Sequence, residues 1–313
     1  MLDRKTSYTA AGSVPLKLLM LPEPGRLRPI HVQWVPTNRC NLRCEFCSCS
    51  ARDRSLEMSL DQAIEVIDHL AELGCLAATI TGGGEPLMQS GFPTMVKHFR
   101  HRGVEVGLVT NGTLLHVQDP SILKLLTWCR VSCGDEREFT PVQAERLSRV
   151  THLPVDWSFS YVVGVNPDVA NARRVVDFAH EHEFTHVRLV GDLLHPEEVP
   201  FDEVSRNFAG DDLVLMQPRK QYVRGHDCLI CYVKPLIAPD FRVYMCCGVQ
   251  YALDPMSLDL PQALCLGSAL DLGAIYADPR PQKVPCVRCY YQDYNDLLGV
   301  LSDPIRVKHR RFV

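Results

Sequence analysis

Residues 37–49 read Thr-Asn-Arg-Cys-Asn-Leu-Arg-Cys-Glu-Phe-Cys-Ser-Cys, and the reading of this stretch decides the fold. Cys40, Cys44 and Cys47 stand in C-x3-C-x2-C order, so one short loop can present three thiolates to one small object. Soft thiolate ligands select zinc, Cu(I) or an iron–sulfur cluster. A structural zinc site closes with four protein ligands, and an ordinary cubane also takes four cysteines. Three close thiolates therefore suit a cluster with one iron left to a non-protein ligand. Buried free cysteines, or three-quarters of a zinc site, are the competing readings.

About forty residues further on, the apolar run 76–80 ends in Thr81-Gly82-Gly83-Gly84-Glu85-Pro86. Consecutive glycines let a backbone approach a ligand and adopt dihedrals closed to other residues, although a plain glycine turn reads the same way. In this order and at this spacing, the two motifs resemble those of the radical S-adenosylmethionine (SAM) superfamily. The resemblance implies a [4Fe-4S] cluster on Cys40, Cys44 and Cys47, with Phe46 at the motif's aromatic position. It also implies that Gly83, Gly84 and Glu85 hold the SAM amino group. Thr110, in a Thr-Asn-Gly run, and Ser132, offered to the ribose, complete the expected SAM contacts.

Composition sets the outer limits. The chain has 313 residues, 46% hydrophobic and 22% charged, the profile of a globular protein long enough for a full core. A net charge of −4 gives no pull toward polymeric nucleic acid or an anionic membrane. No apolar run reaches the ~18 residues of a membrane span, and residues 1–14 lack a signal-peptide core. Fourteen cysteines without such a signal point to a reducing, cytoplasmic setting and metal-bound thiolates rather than disulfides.

Along the chain, strands are expected at 29–36, 75–81, 104–110, 129–133, 155–163 and 186–191. Helices are expected after Ser59, over 93–102, over 120–128, after Thr140 and over 168–183. Ser59 and Gln62 have capping-box spacing, and Thr140 caps a helix with Pro141 at its first position. Strands alternating with helices imply a parallel α/β sheet. The resemblance makes it a partial (β/α)6 TIM-like barrel, whose chemistry lies at the carboxyl ends of the strands. The expected divisions are an extension (1–28), the core barrel (29–218), an auxiliary domain (219–295) and a tail (296–313). The basic run 308–311 reads as a solvated tail.

The cysteine-rich region beyond residue 219 carries a second signal. Cys228, twelve residues, Phe241, four residues and Cys246 resemble the opening of the SPASM and twitch extensions, with Phe241 where the pattern has glycine. Cys286 and Cys289 match the next C-x2-C, and Asn295 stands where a full SPASM domain has another cysteine. The resemblance therefore implies one auxiliary [4Fe-4S] cluster on Cys228, Cys246, Cys286 and Cys289, with Cys231 as the reserve ligand. A zinc knuckle on Cys228, Cys231, Cys286 and Cys289 is the alternative. Cys49, Cys75, Cys129 and Cys133 read as small interior residues.

The expected activity is reductive cleavage of SAM and hydrogen abstraction from a small polar substrate, such as a sugar, nucleoside or amino-acid derivative. Ser158, Arg188 and Asp192 are substrate candidates from strand ends, and flavodoxin or ferredoxin is the expected electron donor. Only about thirty residues precede the first strand, which reads as too few for a peptide-leader module. Modification of a peptide, protein or nucleic-acid base is the alternative activity. A non-catalytic iron–sulfur or zinc-binding interaction protein is the third reading.

Overall fold

The computed structural model describes residues 20, 27–195, 197–217, 223–250, 263–284, 286 and 289–302. The basic run 308–311 and most of the expected N-terminal extension lie outside them.

Six parallel strands form the body of one sheet: β1 (His31–Trp34), β2 (Ala77–Ile80), β3 (Glu105–Thr110), β4 (Trp128–Gly134), β5 (Asp156–Val163) and β6 (His186–Gly191). Each pairs with its successor. Helices α1 (Leu60–Glu72), α2 (Phe92–His101), α3 (Pro120–Leu123), α4 (Pro141–Thr151) and α5 (Val169–Glu181) form the crossovers. Alternation along the strands builds the two faces. Trp34, Ile80, Leu108, Val131, Phe159 and Leu189 are fully or nearly buried in the main core, where the helices pack. Their neighbours Gln33, Thr79, Gly107, Arg130, Ser158 and Arg188 face the other way, into the partial barrel.

Several local expectations change in the structure. The helix expected over 120–128 is the single turn α3, because Leu126 leaves the helix to enter the next strand's approach, where Thr127 donates to Val106 O. The Ser59 hydroxyl donates to the Gln62 carboxamide oxygen at 2.8 Å, so the two polar ends meet each other and no capping box forms. Thr140 and Gln143 do form one. A seventh parallel strand, β7 (Val214–Gln217), follows α6 (Phe201–Arg206) and pairs with β6.

The cysteine-rich region extends the same sheet. Strand β9 (Leu236–Ile237) lies parallel to β1, and β10 (Arg242–Tyr244) and β11 (Cys265–Ser268) continue antiparallel beyond it. Four strand positions separate β9 from β4, about 19 Å in a flat sheet. Yet Lys234, just before β9, feels the charge of Arg130 on β4, which requires the sheet to curl. A second, smaller core unites Ile30, Cys228, Ile230, Val233, Met245 and Leu298. Leu298 belongs to α9 (Gln292–Ser302), a continuous helix that runs through the boundary expected after residue 295.

Candidate functional site

The first cysteine loop leaves the carboxyl end of β1 and folds against the loop after β2. Gly84 N donates to Thr37 O at 3.1 Å, and Glu85 N donates to Arg39 O at 2.7 Å. A Cβ on Gly83 would meet Asn38 Oδ1 at 2.1 Å, and one on Gly84 would meet Arg39 O at 2.0 Å. Gly84 is thus required by backbone against backbone, and Gly83 by the Asn38 side chain against it. Arg52 ties the loop from below, donating to Asn38 O at 3.0 Å and to Cys49 O at 2.6 Å, with Cys47 Sγ at 3.4 Å. From the turn after β4, the Glu136 carboxylate accepts from Glu45 N (2.8 Å) and Phe46 N (3.2 Å). The Phe46 ring rests on Gly134.

Cys40, Cys44 and Cys47 are partly exposed and act on one another electrostatically. Burial raises the Cys44 thiol; the Arg137 cation opposes this, and the two neighbouring cysteines add to it. Asn111, at the end of β3, points its amide at Asn41 Oδ1 (2.8 Å). Among the described residues no three Cys, His, Asp or Glu side chains converge as one mononuclear ion requires.

Two expected contacts are already engaged within the protein. Glu85 is 2% exposed, and its carboxylate accepts from Leu87 N (3.1 Å), Thr110 Oγ1 (2.7 Å) and Asn111 N (2.7 Å). Burial raises its pKa and those three donors pull it back. Glu85 and Thr110 therefore hold the ends of β2 and β3 together, leaving the Gly83 and Gly84 backbone facing the cysteine loop. Ser132 lines a cavity of about 90 Å³ with Asn111, Arg137 and Phe139. Sequence reasoning missed Arg137. Its guanidinium donates to Ser132 O and acts on Cys44 and Glu85, while its Nε is buried without a hydrogen-bond partner.

The second group of cysteines is assembled from separate segments. Strand β8 (Asp227–Cys228) pairs with β12 (Gln282–Lys283), and Val223 exchanges backbone hydrogen bonds with Cys289. Cys228, Cys246, Cys286 and Cys289 lie within electrostatic reach: Cys228 acts on each of the other three. Cys231 is fully buried and its thiol donates to the Cys228 carbonyl at 3.4 Å. Phe241 has φ +57, the left-handed conformation a glycine would take without strain, so this turn keeps its shape with a bulky residue in it. Asn295 is 4% exposed and its carboxamide oxygen accepts from Leu229 N (2.9 Å) and Ile230 N (2.8 Å). A side chain at the position of the missing cysteine thus braces the loop that carries Cys228.

The remaining expected residues are placed as follows. Burial pushes the thiols of Cys49, Cys75 and Cys133 up to about 12, and that of Cys129 higher still, so all four stay protonated and inert. Ser158 and Arg188 face into the barrel, and the Arg188 guanidinium donates to Ser160 Oγ at 2.9 Å. Asp192 is buried and accepts from Leu194 N at 2.9 Å, closing its own loop. All fourteen cysteines are free thiols. No helix among the described residues is long and apolar enough to cross a membrane.

Comparison with known proteins agrees with this geometry. Residues 34–134 match the Radical SAM superfamily. Over 111 residues the chain is 36% identical to Fe-coproporphyrin III synthase of Methanosarcina barkeri, covering 34% of this chain and 28% of that protein. Over 81 residues it is 38% identical to the tungsten-containing aldehyde ferredoxin oxidoreductase cofactor-modifying protein of Pyrococcus furiosus, covering 25% of this chain and 23% of that one. The aligned stretches thus span about a quarter of the length of these relatives. In fold, the chain is similar to Streptococcus suis SuiB bound to precursor peptide SuiA, with a TM-score of 0.59 at 13% identity, covering 86% of this chain and 69% of that one. The cysteine loop of β1 and the glycine run of β2 both fall inside the matched residues, and the chain carries a radical SAM domain, the domain that works with SAM and a [4Fe-4S] cluster.

Proposed function

We propose that this protein is a radical SAM enzyme acting on a small polar substrate, with one auxiliary iron–sulfur cluster. The observation that supports it most is the packing of the loop that carries Cys40, Cys44 and Cys47 against the Gly83–Gly84 backbone at the carboxyl ends of β1 and β2. The residues fit the cofactors. Three interacting, partly exposed thiols would hold the first cluster, and the Arg137 charge opposes the burial that raises the Cys44 thiol. The carbonyls of Gly83 and Gly84 would take the SAM amino group, and Ser132, beside Arg137, would meet the ribose. When bound, the cluster and SAM supply a 5′-deoxyadenosyl radical, which abstracts hydrogen from the substrate.

The chain's own residues do the positioning. Glu85 locks the ends of β2 and β3, so the glycine carbonyls keep one orientation. Glu136 and Phe46 fasten the cysteine loop to the end of β4. Cys228, Cys246, Cys286 and Cys289 would hold the auxiliary cluster in a twitch-like arrangement. Cys231 is better suited to hydrogen-bonding Cys228 than to ligation. Flavodoxin or ferredoxin fits as electron donor, and the free thiols fit a reducing compartment.

Anaerobically reduced protein given SAM is expected to release 5′-deoxyadenosine, and Cys40→Ala is expected to release none. Equal, background yields from both proteins would refute the reading. A fold shared with a peptide-bound structure favours a second reading, modification of a peptide. Deuterium transfer into 5′-deoxyadenosine, from labelled peptide or labelled small molecule, separates the two.

A further inference from the structure

The inner wall of the barrel carries positive charge at depth. Register aligns Arg130, Ser158 and His186 in one layer across β4, β5 and β6, and Ser132, Ser160 and Arg188 in the next. Alternate residues along a strand are about 6.6 Å apart, so the second layer lies nearer the cysteine loop by that amount. Lys234, two residues before Leu236 of β9, lies across the curl within electrostatic reach of Arg130, its ammonium 5.8 Å from the centre of the Tyr291 ring. The floor is aromatic: a Cβ on Gly107 would meet the Trp128 indole at 2.1 Å, so only glycine lets that ring lie against β3. The Arg130 guanidinium lies 5.5 Å from the centre of that ring.

The field these groups create is visible in His186. It is 6% exposed, and its pKa is lowered to about 4, first by burial and then by Arg130 and Arg188. Charges of one sign gathered in a low-dielectric cleft focus their potential on what enters it. Serine hydroxyls beside two guanidiniums present the planar, multidentate donor set that suits carboxylate and phosphoryl oxygens.

We propose that the inner face of the barrel binds an anionic group of the substrate, a carboxylate or a phosphoryl, on Arg130, Arg188 and Lys234 with Ser158 and Ser160. This rests on the radical SAM reading above and narrows its substrate from polar to anionic. It also sets a direction: the charged end lies deep, and the hydrogen to be removed lies above it, toward the loop of Cys40, Cys44 and Cys47.

Calorimetric titration of the full, anaerobically prepared chain with inorganic phosphate and with succinate, at low ionic strength, tests this. One saturable site is expected for at least one probe, weakened tenfold or more by Arg130→Gln and by Arg188→Gln. Arg188→Lys, which keeps the charge, is expected to recover part of the affinity, and Arg102→Gln on the outer surface to lose none. Preference for phosphate assigns a phosphoryl substrate, and preference for succinate a carboxylate. Phosphate or succinate is also expected to raise the His186 titration, followed by NMR, in protein whose circular dichroism is native. Absence of saturable binding, or equal affinity in all variants, overturns the proposal. SAM cleavage measured on the same samples separates the two readings. Cleavage without probe binding defeats the anionic site alone, whereas probe binding without cleavage defeats the radical reading and leaves the anion site standing.

Discussion

The two cysteine groups are built on opposite plans. Cys40, Cys44 and Cys47 come from eight consecutive residues at a strand end, and their side chains are partly exposed. Cys228, Cys246, Cys286 and Cys289 come from three segments spread over sixty-two residues, joined by β8–β12 pairing, the Val223–Cys289 bridge and Asn295. The first group exists wherever its loop exists. The second exists only when the smaller core around Ile230, Val233 and Leu298 is folded. A local site keeps its ligands together by chain connectivity alone; a dispersed one, whose Cys246, Cys286 and Cys289 are just as partly exposed, has to be braced by the fold.

The comparison predicts how each group fails. The largest effect is Cys40→Ala, which is expected to remove about four of about eight irons and abolish SAM cleavage with little change in thermal midpoint. Cys228→Ala is expected to remove the other four, while Cys231→Ala keeps most of its iron; loss of iron in both alike would make Cys231 a ligand, and about four irons with one zinc in the unmodified protein would restore the zinc-knuckle pairing. Iron, sulfide and zinc analysis checks each.

Asn295→Ala leaves Leu229 N and Ile230 N without an acceptor. A buried donor left unsatisfied costs about 1–3 kcal/mol, so denaturant unfolding is expected to show a loss of about 2 kcal/mol. Iron should leave the second site and stay at the first. An unchanged second site would mean that α9 does not brace it.

His186, on β6, sets an acid limit for the whole fold. Its folded pKa, about 4, is below the ordinary ~6.5. Between those values the unfolded chain takes up a proton that the folded chain refuses, so stability falls as pH drops from 6.5 to 4 and levels off below. The total loss is at most about 3 kcal/mol, measured as midpoint against pH, and His186→Gln should remove that part of the slope.

The smallest effect is Phe241→Gly. Relief of left-handed strain, about 1–2 kcal/mol, opposes loss of the ring's packing against the main core. Net stability is expected to change by less than about 1 kcal/mol, with second-site iron unchanged.

These same differences explain what the sequence made legible. Alternating Val32, Trp34, Ala78, Ile80 and Val106 announced the parallel strands, because a strand buried on its helix face repeats every second residue. Val214–Gln217 is four residues with no polar alternation, and its place is set by pairing with β6 rather than by its own pattern. The Ser59–Gln62 spacing was right for a capping box, but the hydroxyl found a side-chain partner instead. At the first site the motif located the ligand loop, yet Glu85 and Thr110 bond to each other, a pairing across twenty-five residues that spacing does not reveal. Arg137, Arg130 and Lys234 were invisible for the same reason: each matters through neighbours brought in by the curl of the sheet. Asn295 was noticed as an absent cysteine, and only the fold shows what it holds.

The account stands or falls on the first loop holding a cluster with one iron open to SAM. Electron paramagnetic resonance of the reduced Cys228→Ala protein, which isolates that site, tests this most directly. Addition of SAM is expected to change the cluster signal, with 5′-deoxyadenosine formed afterwards; a signal indifferent to SAM, with no 5′-deoxyadenosine, would contradict it.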